Sequence, residues 1–375
     1  MAVDPSIQRI TRLTPMSAIL ALIEARVGAV TSQRPAVAAA VGYALAESVP
    51  VRSNQPPHPL ALRDGYAVES ALIADAGPYA PVLLPGSPLR VEAGEALPSG
   101  TDAVVPLDAI NVRGDHAEVV AAVVPGEGVL PAGGDAAAGT SWRQAGERVR
   151  AVDVAVMAAA GIAKVRVRVP FIRIVGGDAA AAPAIGAARD LLAHVVAKAG
   201  GWVLDAREDK KAFDDALTET DSDAVIAIGG TGSGRRDTAV HTLQRLGRLE
   251  AYGIAVSPGD TAAFGFVGER PVLLMPGRLD AALAIWLLIG RYIVAKLAGG
   301  SVADVPVTLP LKRKVTSTIG LAELVPVNCA GGVAEPLASG YLSLESLARS
   351  DGWIVVPAES EGFAAGTPVA VRSWP

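Results

Sequence analysis

Apolar positions along the chain change texture from segment to segment. Near the start, Ile19, Leu20, Leu22, Ile23 and Val27 follow Thr14-Pro15 at helical spacing. A capping residue before a proline suits a first helical turn, so a helix is expected there. From Val51 to about Gly139, short Val/Leu/Ala runs are separated by Gln55-Pro56-Pro57, Pro85-Gly86, Leu97-Pro98-Ser99-Gly100 and Pro125-Gly126. That punctuation predicts a mostly β module. Val152–Ala163 reads as a short helix ending at Gly161, and Lys164–Val169 alternates polar and apolar residues.

Between Phe171 and Leu297 the pattern repeats strand, loop and helix. Strands are expected at Phe171–Val175, Trp202–Asp205, Ala224–Ile228 and Val272–Met275. Helices are expected at Ala184–Ala199, Phe213–Glu219, Thr238–Leu246 and Asp280–Leu297. Such alternation implies a parallel sheet with helices on both faces. Ala303–Pro375 returns to short strands and glycine turns, and no internal repeat is present.

Composition narrows the class. At 375 residues, a two- to three-domain chain is expected. With 51% hydrophobic and 19% charged residues it is globular rather than disordered. Aromatics are only 4% and the formal net charge is −5, which argues against nucleic acid as a partner. The single Cys329 excludes an internal disulfide and a thiolate metal cluster, and reads as an inert buried thiol. His58, His116, His194 and His241 lack metal-ligand spacing; His194 and His241 read as core or surface residues of helices. The longest apolar run, Ala281–Gly290, stops at Arg291, short of the roughly 20 residues of a membrane span. No signal-peptide pattern opens the chain, so a cytoplasmic protein without a membrane partner is expected.

Three expected strands run into glycine loops: Val175-Gly176-Gly177-Asp178, Ile228-Gly229-Gly230-Thr231-Gly232 and Met275-Pro276-Gly277-Arg278. Ligands of open α/β sheets bind at the carboxyl ends of strands, where glycines let backbone N–H groups approach an anion. The middle loop adds Gly234, Arg235, Arg236 and Asp237 at a helix start. Amides and guanidinium groups suit phosphate, while Asp237 suits Mg²⁺ or a helix N-cap. The plainer alternative for each loop is a tight strand-to-helix turn. Neither the P-loop nor the dinucleotide fingerprint is met, since no Lys-Ser/Thr follows and the glycine spacing differs.

Gly229-Gly230-Thr231-Gly232 with Arg236-Asp237 resembles the molybdopterin-binding loop of the MogA and gephyrin G-domain type. The whole chain resembles the molybdopterin molybdenumtransferases, MoeA and the gephyrin E-domain. Ala61-Leu62-Arg63-Asp64-Gly65-Tyr66-Ala67-Val68 is similar to their SAMDGYAV segment, and Gly94–Val105 to their G-x-x-L-P-x-G-x-D-A-V-V strand. Pro258-Gly259 with Ala263-Phe264-Gly265 fits KPGKPxAFG, and Met275-Pro276-Gly277 the start of LPGNP. Leu342–Ala348 and Asp351–Pro357 resemble the last domain.

The resemblance implies a multidomain α/β plus β fold. A central MogA/MoaB-like α/β sheet domain (170–300) would bind molybdopterin. Segments 1–50 and 140–169 would form a discontinuous linker and dimerisation domain, with 51–139 as an inserted β module and 301–375 as a C-terminal β domain. It further implies a homodimer in which Asp64, and likewise Asp135 of the RRxGxD-like loop, reaches a partner's ligand cleft. Asp64 on its own residues is a turn-forming position, and Asp102 reads as structural. Carried over, Asp64, Asp135 and Asp237 would serve catalysis, with Asp237 also holding Mg²⁺. Gly229, Gly230, Thr231, Gly232, Ser233, Arg235, Arg236, Asp178, Pro276, Gly277 and Arg278 would bind the pterin.

The departures concern charge. The KPGKP lysines give way to Ser257-Pro258-Gly259-Asp260, the RRxGxD arginines to Leu130-Pro131-Ala132, the GDE glutamate to Ala179, and PGNP to Pro276-Gly277-Arg278-Leu279. Molybdate is a dianion, and each lysine lost at about 4 Å forfeits up to roughly 4 kcal/mol at an effective dielectric near 20. Arg235, Arg236 and Arg278 return positive charge in other places. Three roles follow: a molybdenum-cofactor synthesis enzyme acting on molybdopterin or its adenylate; a homologue that binds or hands over a pterin cofactor to another biosynthesis protein or an accepting enzyme; and a dimeric scaffold for a partner enzyme. The retained glycine loop predicts that pterin-phosphate binding outlasts molybdate insertion.

Overall fold

The computed structural model of the chain describes residues 8–114, 116–176, 183–204, 213–235, 237–302 and 304–375. It divides into two units, one formed by Met1–Glu47, Ala145–Ala155 and Ile162–Pro375, the other by Ser48–Gln144 and Val156–Gly161.

The larger unit opens with α1 (Met16–Arg26), which buries Ile19 and Ile23, one helical turn apart. Its centre is a six-stranded sheet of β1 (Phe171–Gly176), β2 (Trp202–Leu204), β3 (Ala224–Ile228), β4 (Arg248–Tyr252), β5 (Ala263–Val267) and β6 (Arg270–Met275). The spatial order is β2-β1-β3-β6-β5-β4. The first four are mutually parallel, and β5 and β4 close the sheet antiparallel. Between them run α2 (Pro183–Lys198), α3 (Phe213–Thr218) and α4 (Ala239–Leu246).

The apolar runs of the central strands resolve into two faces with period two. Ile172, Ile174, Ile226, Ile228, Leu273 and Met275 join one core with α2 residues Ile185, Leu192 and Val196. Val225, Ala227, Val272 and Leu274 join another with Phe213, Leu217, Val240 and Leu243 of α3 and α4. Helices therefore cover both faces, which explains why these strands need no polar alternation. Each fully buried Ile, Leu or Phe contributes about 1.5–3 kcal/mol relative to exposure.

The expected α/β plus β fold class is borne out, and two local expectations are corrected. β4 and β5 went unforeseen because Gly265 interrupts the β5 pattern. A Cβ there would lie 2.3 Å from the Arg248 carbonyl oxygen, so the glycine is what lets the two strands pair. The expected helix Asp280–Leu297 is α5 (Leu279–Ile285), a π-turn (Trp286–Gly290) and α6 (Arg291–Leu297). The π-turn brings Gly290 against the Trp286 ring, where a Cβ would sit 2.7 Å from Cε3.

The C-terminal sheet has the order Val256–Ser257, Ala322–Asn328, Gly352–Val356, Pro368–Ser373, Val307–Pro310. Its first strand belongs in sequence to the α/β region and pairs parallel as Val256↔Ala322 and Ser257↔Glu323. The loop that follows, residues 258–262, is thereby anchored in the C-terminal sheet. No described helix is long and apolar enough to cross a membrane.

The smaller unit holds two three-stranded sheets. One orders Arg90–Val91, Gly65–Val68 and Ala103–Pro106; the other orders Val82–Pro85, His116–Val119 and Ile110–Arg113. Val105 packs with Val68, Ile110 and Val119, while the adjacent Val104 packs with Ala61, Ala67 and Val91. Asp102 is structural, accepting from the Ser70 N–H (2.7 Å) and hydroxyl (2.8 Å).

Candidate functional site

The register pairs Gly176 with Ile228 and Ile228 with Met275, so β1, β3 and β6 end side by side at the carboxyl edge, and the loops after β3 and β6 leave it together; residues 177–182, which follow β1, lie outside the described residues. Gly229 and Gly277 face each other closely: a Cβ on Gly277 would lie 3.5 Å from the Gly229 Cα and 3.4 Å from Ile185 Cδ1.

The four glycines of the β3–α4 loop serve two purposes. Gly229 and Gly230 hold left-handed backbone, with φ of +90° and +73°. Gly232 and Gly234 make room for the Asp237 carboxylate, whose Oδ2 would lie 2.8 and 2.7 Å from a Cβ at those positions. That oxygen accepts the Gly234 N–H at 2.9 Å. Asp237 therefore braces its own loop and does not cap α4.

The cap comes from Gln8, a residue sequence reasoning missed. Its side chain is buried, and Oε1 accepts from the N–H groups of Val240 (2.8 Å) and His241 (3.3 Å). Nε2 donates to the carbonyls of Gly230 (3.0 Å) and Gly232 (2.8 Å). The Tyr252 hydroxyl donates to the Thr231 carbonyl at 2.9 Å. Burial first, then the Asp237 charge, pushes the Tyr252 phenol above its ordinary range, so it stays a donor. Three successive carbonyls are thus held on one side. In a planar trans peptide the next N–H points opposite, which turns the amides of Thr231, Gly232 and Ser233 away from these anchors. Among the described residues these three amides have no acceptor. Consecutive unpaired amides form an anion-binding concavity.

The expectation that the α4 start would lend its own amides to phosphate is corrected, because Ala239 donates to Gly230 and Gln8 takes the next two. Nothing local in the sequence marks Gln8, which lies more than 220 residues from its partners.

The 258–262 loop meets this one through Thr231 Oγ1 and Thr261 Oγ1, 3.3 Å apart. Arg278 forms a bidentate pair with buried Asp280, which also accepts the Leu342 N–H at 3.2 Å. The Arg278 guanidinium lies 4.8 Å from the Tyr341 ring centroid. Its hydrogen bonds to Asp280 hold it even further above its ordinary range, with Asp260 adding to the effect. Arg278 is therefore not the free cation expected from sequence, since Asp280 already neutralises it. Arg235 is exposed and forms no ion pair among the described residues, whereas Asp178 and Arg236 lie outside them.

Asp64 and Asp135 belong to the smaller unit. Asp64 is exposed and accepts the Ala93 N–H at 2.9 Å through Oδ1, joining two turns. Asp135 is exposed as well. Arg63, beside Asp64, is structural: it donates to the Val104 carbonyl and pairs with Glu127 at 3.0 Å. Among the described residues no three His, Cys, Asp or Glu side chains gather to hold a metal. Cys329 is part-exposed rather than buried, though burial still raises its thiol pKa, helped by Asp351.

A doubly wound sheet with an amide concavity at its carboxyl edge defines an open α/β protein whose concavity suits an anion. Residues 14–161 match the model of the MoeA N-terminal region (domain I and II), 186–296 that of a probable molybdopterin binding domain, and 308–374 that of the MoeA C-terminal region (domain IV). The chain belongs to the MoeA family. It is 28% identical over 360 residues to a putative molybdopterin biosynthesis protein of Methanocaldococcus jannaschii, covering 87% of this chain and 88% of that one. Molybdopterin molybdenumtransferase 1 of Mycobacterium tuberculosis is 27% identical over 313 residues, or 70% of this chain and 73% of the relative. A molybdopterin biosynthesis MoeA protein from Pyrococcus horikoshii shares the fold, with a TM-score of 0.75 at 24% identity over 97% of this chain and all of that one.

Proposed function

We propose that the chain is a molybdenum-cofactor biosynthesis protein of the molybdopterin molybdenumtransferase type, which binds molybdopterin or its adenylate and inserts molybdate. The observation that carries this reading is the set of anchored carbonyls at Gly230, Thr231 and Gly232, which presents the next three amides to an anion. The pterin phosphate is the group those amides suit. The relatives named as molybdenumtransferases favour this role over the hand-over and scaffold readings.

In the finer assignment, Gly229–Ser233 with Arg235 receive the phosphate and Pro276-Gly277-Arg278 border it. Asp64 and Asp135 come from the second copy of a homodimer, and the four-part division expected from the sequence describes its modules. Mg²⁺ commonly sits between substrate phosphates and one or two carboxylates. Among the described residues one carboxylate, Asp237, belongs to this loop, so its donor set suits Mg²⁺ carried on the substrate rather than a cage of protein ligands. A cytoplasmic location accords with an intracellular cofactor pathway.

Titrating the purified protein with molybdopterin, followed by molybdate and assay of formed cofactor, tests the reading. Saturable binding with cofactor formation is expected. A protein that binds no molybdopterin would overturn it, and a monomer by sedimentation would remove the roles given to Asp64 and Asp135.

A further inference from the structure

We propose that Gln8 is a positioning residue: its side-chain amide holds the Gly230–Gly232 backbone so that the Thr231, Gly232 and Ser233 amides stand preformed for an anionic phosphate oxygen. This rests on the reading of that loop as the pterin-phosphate site. Gln8 lies ahead of residues 14–161, where the family match begins.

The geometry admits one orientation of the amide. Two carbonyls face Nε2 and two N–H groups face Oε1, so both donors and both acceptor sites of the side chain are used. A buried amide with all four bonds made is rigid, and removing it would leave two helix amides without partners, the Gly232 carbonyl with only a 3.5 Å contact to the Tyr252 hydroxyl, and the Gly230 carbonyl with the Ala239 N–H alone. Gln8 is delivered by a docked segment. Thr14 donates to Gly253 and accepts from Ala255, both at 2.8 Å. Ile10 and Leu13 lie over Gly253, where a Cβ would come within 2.5 Å of Ile10 Cγ2. The next residue back is Tyr252, whose hydroxyl holds the remaining carbonyl of the loop. One local assembly thus orients three consecutive peptides. Without it, the ligand would have to order those peptides itself, and binding would weaken accordingly.

The two halves of the Gln8 amide separate in one substitution. Gln8→Glu retains an oxygen acceptor for Val240 and His241, and a negative charge suits that helix end. Its carboxylate cannot donate to Gly230 or Gly232. Gln8→Met loses both functions at similar volume.

Amide hydrogen exchange of the ligand-free protein and molybdopterin titration together test the inference. For Gln8→Glu, faster exchange at Gly234 and Ala239, whose N–H groups bond within this loop, is expected with Val240 and His241 still protected. Its molybdopterin Kd should rise about tenfold, the effect of losing roughly one net hydrogen bond. KM for molybdopterin should rise with kcat unchanged, and affinity should recover at low pH as the introduced carboxylate is protonated and regains a donor. Gln8→Met should expose both regions. Tyr252→Phe should shift exchange and Kd in the same direction, and it decides the matter if the Gln8 variants do not fold. Wild-type exchange or wild-type molybdopterin affinity in Gln8→Glu would overturn the inference. Expected exchange changes in the variants, with no molybdopterin bound by the unmodified protein, would overturn the function and leave the clamp standing.

Discussion

Asp280 joins two segments that border the candidate site, so its removal should cost stability while freeing charge. The carboxylate is 4% exposed and receives Arg278 Nε at 3.0 Å, Arg278 Nη2 and the Leu342 N–H at 3.2 Å. In Asp280→Ala the buried Leu342 N–H loses its acceptor, at about 1–3 kcal/mol. The Arg278 side chain is 57% exposed, so the ion pair is discounted for solvent to about 0.2–1 kcal/mol. Loss of an acid from the first turn of α5 adds about 0.3–1 kcal/mol. Asp280→Ala should therefore destabilise the larger unit by roughly 1.5–5 kcal/mol. Asp280→Asn, which keeps an acceptor, should cost about 1 kcal/mol. Trp286 and Trp353 are buried in this unit, so urea unfolding followed by tryptophan fluorescence reports the change as a lower midpoint at constant slope. Both variants leave Arg278 without its counter-charge beside Gly277, so molybdate should bind more tightly even as stability falls. A loss below about 0.5 kcal/mol in Asp280→Ala would refute the weight given to hydrogen-bond acceptance, and so would equal losses in the two variants.

Asp260→Lys should strengthen molybdate binding with little change in pterin affinity, measured by competitive titration. Asp260 is exposed and its loop is held by backbone bonds, its carbonyl accepting the Ile254 N–H at 3.1 Å. Gly259→Ala should lower the urea midpoint by the equivalent of about 2–4 kcal/mol, combining left-handed strain with overpacking. Gly259 has φ of +128°, and a Cβ would lie 2.8 Å from Ile285 Cγ1. Asp304 gives an acid-sensitive element: burial raises its pKa, but pairing with Arg291 and Arg372 outweighs this and holds it below the usual value. A depressed folded pKa means the stability is present above about pH 4 and is lost as pH falls through the folded value. Asp304→Asn should flatten that part of the stability–pH curve, and an unchanged acid limb would exclude the pair as its source.

Much of the central sheet was legible because buried parallel strands demand continuous apolar runs. Ala224–Ile228 is buried along its whole length and emerges with the expected bounds. The glycine loops were legible for a similar reason, since a left-handed turn after a strand leaves a compositional mark, as at Gly229 and Gly230. Strands β4 and β5 were not, because a glycine needed for close pairing looks locally like a break. The two roles offered for Asp237, metal ligand or cap, could not be decided from its neighbours. The structure removes the cap, since the Asp237 Oδ2 accepts the Gly234 N–H three residues back and Gln8 takes the helix amides.

The sequence alone determined what depends on local periodicity and residue chemistry: the alternation of strands and helices, glycines where β3 and β6 end, and the absence of lysine from residues 257–260. The tertiary structure decided how the surviving charges and donors are used. It pairs Arg278 with a buried Asp280 two residues on, so a cation counted from sequence carries no free charge. It also brings Gln8 across more than 220 residues to a loop it could not be linked to by spacing. Hydrogen bonds and ion pairs act over a few ångströms of space, and a sequence records distance only along the chain, so those pairings exist only once the core has brought the segments together.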